Sequence, residues 1–163
     1  MTSFSSHFEV CFQDPFGKDS YSNVQQSDNA ALKGFDAVDW AGLNQATHEK
    51  HQDVLEDFYF YEVRDAQHGD SSAPLNAINI SAESTYGDQL KASGPLLTLR
   101  YIRPVETVSK GFFGIGGGKM KINSLETVME GCDIAFSRRC LEAFVRADKN
   151  FLAASVIDNG RSD

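Results

Sequence analysis

The sequence predicts an α+β fold, in which a mostly antiparallel sheet of four or five strands has one or two helices packed on one face. Three observations lead to this prediction: several segments alternate apolar and polar residues, two of them flank a glycine-rich tract, and the C-terminal segment changes to helical periodicity. The 163 residues fit a single domain, 1–163, and a content of 41% hydrophobic and 23% charged residues is typical of chains that fold on their own.

Four segments have the composition of strands. In residues 7–13, phenylalanine and valine alternate with polar residues, which is the period of a half-buried strand. Residues 54–64 have aromatic side chains at both even and odd positions, so we expect this strand to be covered on both faces. A short strand over 75–81 and the stronger LLTLRYIR strand over 96–103 complete the set.

Two loops and one helix are predicted between these strands. Residues 14–29 and 66–74 are rich in turn-forming residues and have no periodic apolar positions, so both are predicted to be loops. In residues 36–50, apolar side chains recur at roughly helical spacing while the remaining side chains are polar. This segment is predicted to be a surface helix.

The two strands around the glycine-rich tract are predicted to form an antiparallel hairpin. Pro104 cannot donate a ladder hydrogen bond, so the chain around it is expected at a sheet edge, a bulge or a bend. After the glycines, alternation resumes with Met120 and Ile122 directed inward. A one-residue slip near Ser124 would extend this strand into residues 125–129.

The C-terminal segment, residues 133–155, is predicted to be helical because its apolar residues fall on one stripe of a helix. Asp133 is the predicted N-cap, and a break is expected near Asp148. The Asn-Gly pair at 159–160 is the predicted stop. Residues 158–163 are expected to form a frayed tail.

Charge and composition exclude several function classes. The 23 acidic and 15 basic residues give a net charge of −8, which disfavours binding to nucleic acid because a polyanion would be repelled. No apolar run approaches the ~18 residues that cross a bilayer, and the first residues have no leader pattern, so we expect a cytoplasmic protein without a membrane partner. Cys11, Cys132 and Cys140 have neither a metal-binding nor a disulfide spacing, so we expect them to be reduced.

The tract KGFFGIGGGKMK, residues 110–121, does not fit a nucleotide-binding loop. A phosphate-binding loop needs GxxxxGK followed by Ser or Thr, whereas Phe113 takes the first glycine position here and Met120 follows the lysine. The dinucleotide pattern GxGxxG begins at Gly114 but has Lys119 at its third glycine position. We therefore reject nucleotide binding at this tract.

Two interpretations of the tract remain open. The first is a wide hairpin turn in which Phe112 and Phe113 fold back onto the core. The second leaves Phe112, Phe113 and Ile115 at a flexible tip that could enter a pocket on another protein. Neighbouring lysines would keep such a tip soluble.

No residue pattern predicts a metal, a cofactor or a catalytic group. In HEKH, His48 and His51 are one residue too close for HExxH, so we expect a solvated helix face at this point. Free cysteine usually behaves as a small apolar residue, and the sequence has no nucleophile-elbow motif. Enzymatic activity stays an open question, although the residues favour a non-enzymatic protein.

Charge is unevenly distributed along the chain. Residues 48–70 contain seven acidic and two basic residues, a balance of −5, whereas residues 100–121 contain five basic residues and one acidic residue, a balance of +4. Both segments could be solvated surfaces that aid solubility. The alternative is an acidic, tyrosine-bearing face that captures a basic protein. The predicted contact residues of that face are Glu56, Asp57, Tyr59, Tyr61 and Glu62.

Residues 96–156 resemble bacterial immunity proteins that neutralise secreted toxins. The resemblance lies in an LTLRYIRP strand, a GFFG-containing hairpin and a terminal CLEAFVRADKNFLAAS helix within a small acidic domain. It implies a non-enzymatic inhibitor that covers the active site of a cognate toxin and has no catalytic residues of its own. A basic toxin is the protein partner that an acidic inhibitor would fit.

The leading hypothesis is therefore a non-enzymatic protein-binding module, with an immunity or inhibitor protein as its specific form. Two other functions are compatible with the sequence. One is a small-ligand-binding or enzyme domain whose pocket lies between the sheet and the C-terminal helix, lined by Tyr101. The other is a structural subunit of a secretion or phage-like assembly.

Overall fold

The computed structural model describes residues 7–14, 20–50, 61–65, 75–108 and 120–162. Its strands are β1 (His7–Phe12), β2 (Tyr21–Ser27), β3 (Tyr61–Asp65), β4 (Ala77–Ala82), β5 (Leu96–Val108), β6 (Met120–Asp133) and β7 (Arg161–Ser162). Its α-helices are α1 (Asp28–Asp36), α2 (Trp40–Lys50), α3 (Asp88–Ser93), α4 (Ile134–Val145) and α5 (Lys149–Leu152). A π-helical segment, Ala153–Ile157, continues α5.

The strands form one sheet in the order β2-β1-β3-β4-β5-β6-β7, and every neighbouring pair is antiparallel. This architecture is α+β with an antiparallel sheet. The predicted number of elements, four or five strands with one or two helices, is wrong, since the described ranges contain seven strands and five α-helices. Short edge strands and helices of one or two turns have too few apolar positions to produce a periodic pattern, so the sequence does not reveal them.

The longer strands of the sheet are those with strong alternation. The predicted strands at 7–13, 75–81 and 96–103 are confirmed as β1, β4 and the first part of β5. The end of the predicted strand 54–64 lies in β3, and its earlier residues lie outside the described ranges. Helix α2 occupies most of the predicted helix over 36–50.

The predicted loop over residues 14–29 is wrong in its second half, which forms β2 and the start of α1. Strand β2 is at the edge of the sheet, so it needs few apolar residues; the Tyr21 ring packs 5.8 Å from the Phe12 ring. Ser27 then ends the strand and begins the helix, because its hydroxyl accepts a hydrogen bond from the Ala30 amide. The other predicted loop, 66–74, lies outside the described residues.

The C-terminal tail is paired instead of frayed, as β7 is hydrogen-bonded to Thr127 and Val128 of β6. The prediction for residues 158–163 is therefore wrong for the two residues of β7. The predicted helix stop at 159–160 is confirmed, since the Asn159 side chain donates to the Ala154 carbonyl at 2.8 Å. Gly160 permits the close return of the chain, because a Cβ there would lie 2.5 Å from the Thr127 methyl group.

The main core lies on one face of the sheet. Because side chains alternate along strands, the register places Val10, Val63, Ile78 and Tyr101 in one row across four strands. Helices α1 and α4 pack against this helix-bearing face. Phe144 of α4 contacts the Tyr101 ring edge-on, with 6.2 Å between ring centroids.

Two aspartates divide the C-terminal segment into separate helices. The Asp133 carboxylate accepts from the Phe136 amide at 2.6 Å, so the predicted N-cap of α4 is confirmed. The helix ends before Ala147, which has a positive φ of 57°. Asp148 then caps α5 by accepting from the Phe151 amide at 3.1 Å, which confirms the predicted break.

Strands β5 and β6 form the predicted antiparallel hairpin. The predicted slip near Ser124 is wrong, because this residue pairs with Pro104 in unbroken register. The irregularity lies instead opposite Leu97 and Leu99, where Gly131 takes a positive φ of 67°. Pro104 is at a sheet edge, as predicted, since β4 pairs with β5 only as far as Ile102.

Gly34 allows helix α1 to lie close to the sheet. A Cβ at this position would be 2.6 Å from the Tyr61 hydroxyl oxygen, which donates to the Ala31 carbonyl. Although alanine is the better helix former, we expect Gly34→Ala to lower the free energy of unfolding by about 1–3 kcal/mol because the contact becomes overpacked.

The control is the same substitution in a Tyr61→Phe background, where the hydroxyl is gone. There we expect Gly34→Ala to be neutral or stabilising. Urea denaturation of the four proteins closes a double-mutant cycle. An equal cost of Gly34→Ala in both backgrounds would show that the hydroxyl contact is not the cause.

Candidate functional site

The two longest strands extend beyond their neighbours as a two-stranded projection. The last residue of β5 that pairs with β4 is Ile102, which lies opposite Ala77. Strands β5 and β6 stay paired beyond this point, as far as Val108 and Met120. Residues 103–108 and 120–125 therefore leave the body of the sheet, and we name them the arm. Its six residue pairs make it about 20 Å long.

One face of the arm exposes three large apolar side chains together with Glu106, which pairs directly with Ile122. Val108 lies directly opposite Met120, and Ile122 follows on the same face because side chains alternate along a strand. Their exposed fractions are 69%, 65% and 53%, respectively. We name these three side chains the apolar strip. The prediction that Met120 and Ile122 point inward is wrong, because the hairpin has left the body of the sheet at this point.

Polar contacts hold the arm in place. The Thr107 hydroxyl donates to the Lys121 carbonyl at 3.1 Å, and the Asn123 amide donates to the Thr107 hydroxyl at 2.9 Å. At the base of the arm, the Leu75 amide donates to the Ser124 hydroxyl at 3.1 Å. The apolar strip is therefore fixed on a defined backbone.

The edges of the arm have no strand neighbour within the described ranges. Strand β7 pairs with β6 only at Thr127 and Val128, which lie in the body of the sheet. An isolated two-stranded ribbon is marginally stable in water, and unpaired strand edges readily accept another strand. Exposed edges together with an apolar face are therefore typical of a contact element.

A cavity of about 760 Å³ lies beside α1 and α2, next to the β1 and β2 strands. Its volume falls within the ~300–1,000 Å³ that is typical of binding clefts. Part of its wall is apolar and part is polar. The apolar part includes Phe12, Val38, Leu43 and Ala46, and the polar part includes Asp14, Tyr21 and Asp39.

Four hydrogen bonds hold the helices that form the walls of the cavity. The Tyr61 hydroxyl donates to a carbonyl of α1, and the Trp40 indole donates to the Phe35 carbonyl at 3.3 Å, which joins α1 to α2. The buried Asn44 amide donates to carbonyls next to β4 and at the start of β5, at 2.7 Å each. Both helices are thus tied to each other and to the sheet.

Two acidic residues, Asp14 and Asp39, line the cavity. Asp39 is exposed, and its carboxylate accepts from the Gly42 amide at 3.0 Å, where it caps the first turn of α2. Asp14 is partly exposed, and its amide donates to the Ser20 hydroxyl at 2.9 Å. The cavity therefore suits an apolar group with a positive charge nearby.

The space between the sheet and α4, where the sequence places a ligand pocket, is filled by aromatic side chains. Tyr101 is 6% exposed and packs against Phe144. Phe8 contacts the same ring at 6.1 Å. The cavity lies instead beside α1 and α2.

Tyr61 and Glu62 are both buried, so the prediction that they contribute to an exposed acidic face is wrong. Tyr61 points to the helix-bearing face and is fully buried, while Glu62 points to the opposite face and is 2% exposed. Glu62 pairs with Arg64. Burial raises the pKa of the Glu62 carboxyl, and the Arg64 guanidinium opposes that rise. The physical reason is that β3 lies inside the sheet, between β1 and β4.

The other predicted contact residues lie outside the described ranges, and their roles stay predictions. They are Glu56, Asp57, Tyr59, Phe112, Phe113 and Ile115. Sequence reasoning missed the apolar strip and the cavity. The available signal for the arm was Pro104, which indicated an edge; no local signal indicates a cavity formed by distant segments.

His48 of the HEKH motif contacts Ser84 and Tyr86. Its Nδ1 lies 3.0 Å from the Ser84 hydroxyl, and its ring stacks on Tyr86 with centroids 5.0 Å apart. His51 lies outside the described ranges. Within those ranges, no group of three or more His, Cys, Asp or Glu residues is arranged to hold a metal ion.

The three cysteines are buried, and none of them forms a disulfide bond. Burial raises the pKa of Cys140 to about 12. Burial also raises the pKa of Cys132 to about 11, and the Glu83 and Asp133 carboxylates add a smaller contribution. Both thiols therefore stay protonated near neutral pH, which makes them poor nucleophiles.

The raised thiol pKa values predict a loss of stability at alkaline pH. Above pH 9.0, the ordinary pKa of a thiol, an unfolded chain releases the proton of Cys140, while the folded protein keeps it up to about pH 12. The unfolded state then binds fewer protons, so the free energy of unfolding falls as pH rises. This thiol contributes a slope of about −1.4 kcal/mol per pH unit in that window.

Cys140→Ala isolates this contribution. Urea unfolding under reducing conditions from about pH 8 to pH 11 should give a shallower decrease in stability for the variant than for the wild type. The variant also loses some stability at every pH because it leaves a small cavity, so only the slope is diagnostic. Parallel curves would contradict the assigned cause.

Comparisons with protein-family models, with characterised proteins and with solved structures gave no match. In the described part of the chain, no helix has both the length and the apolar character needed to cross a bilayer. The function must therefore be argued from the arm and the cavity.

Proposed function

We propose that this protein is a non-enzymatic protein-binding module and that the arm is its main contact element. The observation that supports this function most directly is the apolar strip, three large apolar side chains exposed on a two-stranded projection. Exposed apolar groups on a fixed backbone are typical of contact sites between proteins. The unpaired edges of the arm add backbone groups that can hydrogen-bond to a partner strand.

Within this class, the resemblance of residues 96–156 favours an immunity or inhibitor protein. The arm belongs to that range, so it would cover the active site of a cognate toxin. The net charge of −8 would speed the approach of a basic toxin. Asp14 and Asp39 beside the cavity could receive a basic side chain of that toxin. A cytoplasmic location is consistent with three cysteines that form no disulfide bond.

A structural subunit of an assembly is the second candidate. It is favoured by one observation, that the arm and the cavity lie at opposite ends of the sheet. A subunit built in this way has a projecting element and a separate receptor. Subunits of rings and filaments need two such different surfaces.

Val108→Thr combined with Ile122→Thr tests the contact role of the arm. Threonine keeps the β-branched shape that strands favour but puts a hydroxyl in place of a methyl group of valine or the ethyl group of isoleucine. We expect the affinity for a protein partner to fall at least about tenfold, because burying one such side chain contributes about 1.5–3 kcal/mol. Calorimetric titration with a purified partner measures this loss, and the product of the neighbouring gene is the first partner to test.

Val24→Thr is the matched control, since Val24 is an exposed valine on the edge strand β2. The control should bind like the wild type. Equal affinities for the wild type, the arm variant and the control would exclude the arm as the contact element. If the partner is a toxin, its residual activity at saturating inhibitor should follow the same order.

A further inference from the structure

The two faces of the arm differ in charge. Because side chains alternate along both strands, the face that holds the apolar strip also holds Glu106, whereas the other face holds Arg103 and Lys121. We name this second face the basic face. Among the described residues of the arm, 103–108 and 120–125, no acidic side chain belongs to it. A strand placed beside the arm would therefore meet a mostly apolar surface on one side and a positively charged surface on the other.

The outer edge of β6 is the edge of the arm that suits a further strand. The β5 edge contains Pro104, which has no amide N–H to donate, and proline is one of the residues that prevent pairing at a sheet edge. Strand β6 has no proline among the seven residues from Met120 to Glu126. Within the described ranges, these residues pair with β5 and with no other strand.

Strand β7 shows how a strand lies on this edge. Its two residues pair antiparallel with Thr127 and Val128, next to the unpaired part of the β6 edge. A strand in line with β7 would continue this pairing from Glu126 to Met120, over about 20 Å. Its backbone would complete the hydrogen bonds of the edge, and its side chains would alternate between the two faces of the arm.

Lys121 determines which strands this edge accepts. It is exposed on the basic face, and a lysine on an edge strand disfavours pairing with an arbitrary neighbour. An acidic residue directly opposite Lys121 makes the pairing favourable, since cross-strand pairs of opposite charge are stabilising and like charges are destabilising. Arg103 lies on the same face near the base of the arm and adds to the positive charge.

The apolar strip determines the alternate positions of the added strand. Met120 and Ile122 flank Lys121 in β6, so the residues opposite them lie on the face of the strip. Apolar side chains at these positions would remove the exposed parts of Met120 and Ile122, 65% and 53%, from water. Glu106 lies on β5, on the far side of Ile122, so it is one strand removed from the added strand. The strand that fits this edge therefore alternates apolar and acidic residues.

We propose that the outer edge of β6, from Met120 to Glu126, binds an extended segment of a partner protein as an added antiparallel strand, in which apolar and acidic residues alternate and an acidic residue lies opposite Lys121. This proposal rests on the proposed function, since it specifies what the arm contacts. The requirement applies to one segment of the partner, whatever the net charge of that partner.

The required pattern can be tested with synthetic peptides. The parent peptide is a labelled chain of about nine residues in which valine alternates with glutamate, long enough to cover the edge. Fluorescence anisotropy measures its affinity for the purified wild type. A peptide with lysine in place of glutamate should bind at least about tenfold more weakly, because it places a like charge opposite Lys121. A peptide of the parent composition with its valines and glutamates in separate blocks should be weakened as much, since it fits neither face.

Backbone methylation tests whether the peptide binds as a strand. One version of the parent peptide is N-methylated at its valines and another at its glutamates. Alternate residues of a strand direct their N–H groups to opposite edges, so only one version loses the hydrogen bonds to β6. We expect one version to bind like the parent and the other at least about tenfold more weakly. This test uses the wild type and does not depend on the folding of a variant.

Lys121→Glu tests whether the peptide binds at this edge. We expect this variant to bind the parent peptide at least about tenfold more weakly than the wild type does, and to bind the lysine peptide more tightly than the wild type does. Lys91→Glu is the matched control, since Lys91 is an exposed lysine on α3 and its replacement changes the net charge equally. It should leave both affinities unchanged, and circular dichroism should show that both variants are folded.

Four results would overturn the inference. They are equal binding of the parent and lysine peptides, equal binding of the two methylated versions, equal effects of Lys121→Glu and Lys91→Glu, and self-association of the wild type that the parent peptide reverses. The last result would assign the edge to a second copy of the chain. If the peptides fail but Val108→Thr with Ile122→Thr still weakens a protein partner, the inference falls and the proposed function stands. If that variant also has no effect, both fall.

Discussion

The pairing of β5 with β6 is the interaction on which the rest of the structure depends. Twelve residue pairs join these strands in one ladder that runs from the body of the sheet to the tip of the arm. In the body, the ladder places Leu97 and Leu99 in the core, and it ends at Asp133, where the cap of α4 begins. Because the ladder is unbroken from Leu99 to Val108, packing of Leu99 in the core determines which way the apolar strip faces. A shift of one residue would turn every side chain of the arm to the other face.

On the face of the sheet opposite the helices, the polarity and exposure of the side chains change along β5. In the body of the sheet it holds polar groups, including buried Glu62, buried Asn79 and partly exposed Arg100 in one cross-strand row. On the arm, the same face holds the apolar strip. On this face, two polar side chains of the sheet body are thus covered while three apolar side chains of the arm are exposed, which burial of apolar surface alone would not produce. An exposed apolar surface held on a fixed ladder is the feature that supports the proposed contact with another protein.

The opposite placement of the arm and the cavity unites the two candidate functions in one physical description. Both an inhibitor and an assembly subunit need a projecting element that enters another molecule, and both benefit from a receptor for basic groups. They differ only in the identity of the second molecule. Buried Cys132 and Cys140, whose thiol pKa values are raised by burial, and the aromatic side chains fill the space between the sheet and α4. The proposed contact surfaces lie at the two ends of the sheet, away from its main core.

Local chemistry in the sequence determined the α+β class, the strands β1, β4 and β5, the β5–β6 hairpin, the Asp133 cap and the break at Asp148. These features follow from residue alternation, capping side chains and proline, which act over a few positions. The tertiary structure decided the polar edge strand β2, the burial of Glu62, the exposure of Ile122 and the cavity. Each of these depends on where a neighbouring strand ends or a distant helix packs. Exposure is a property of the neighbours of a residue, and those neighbours are far away along the chain.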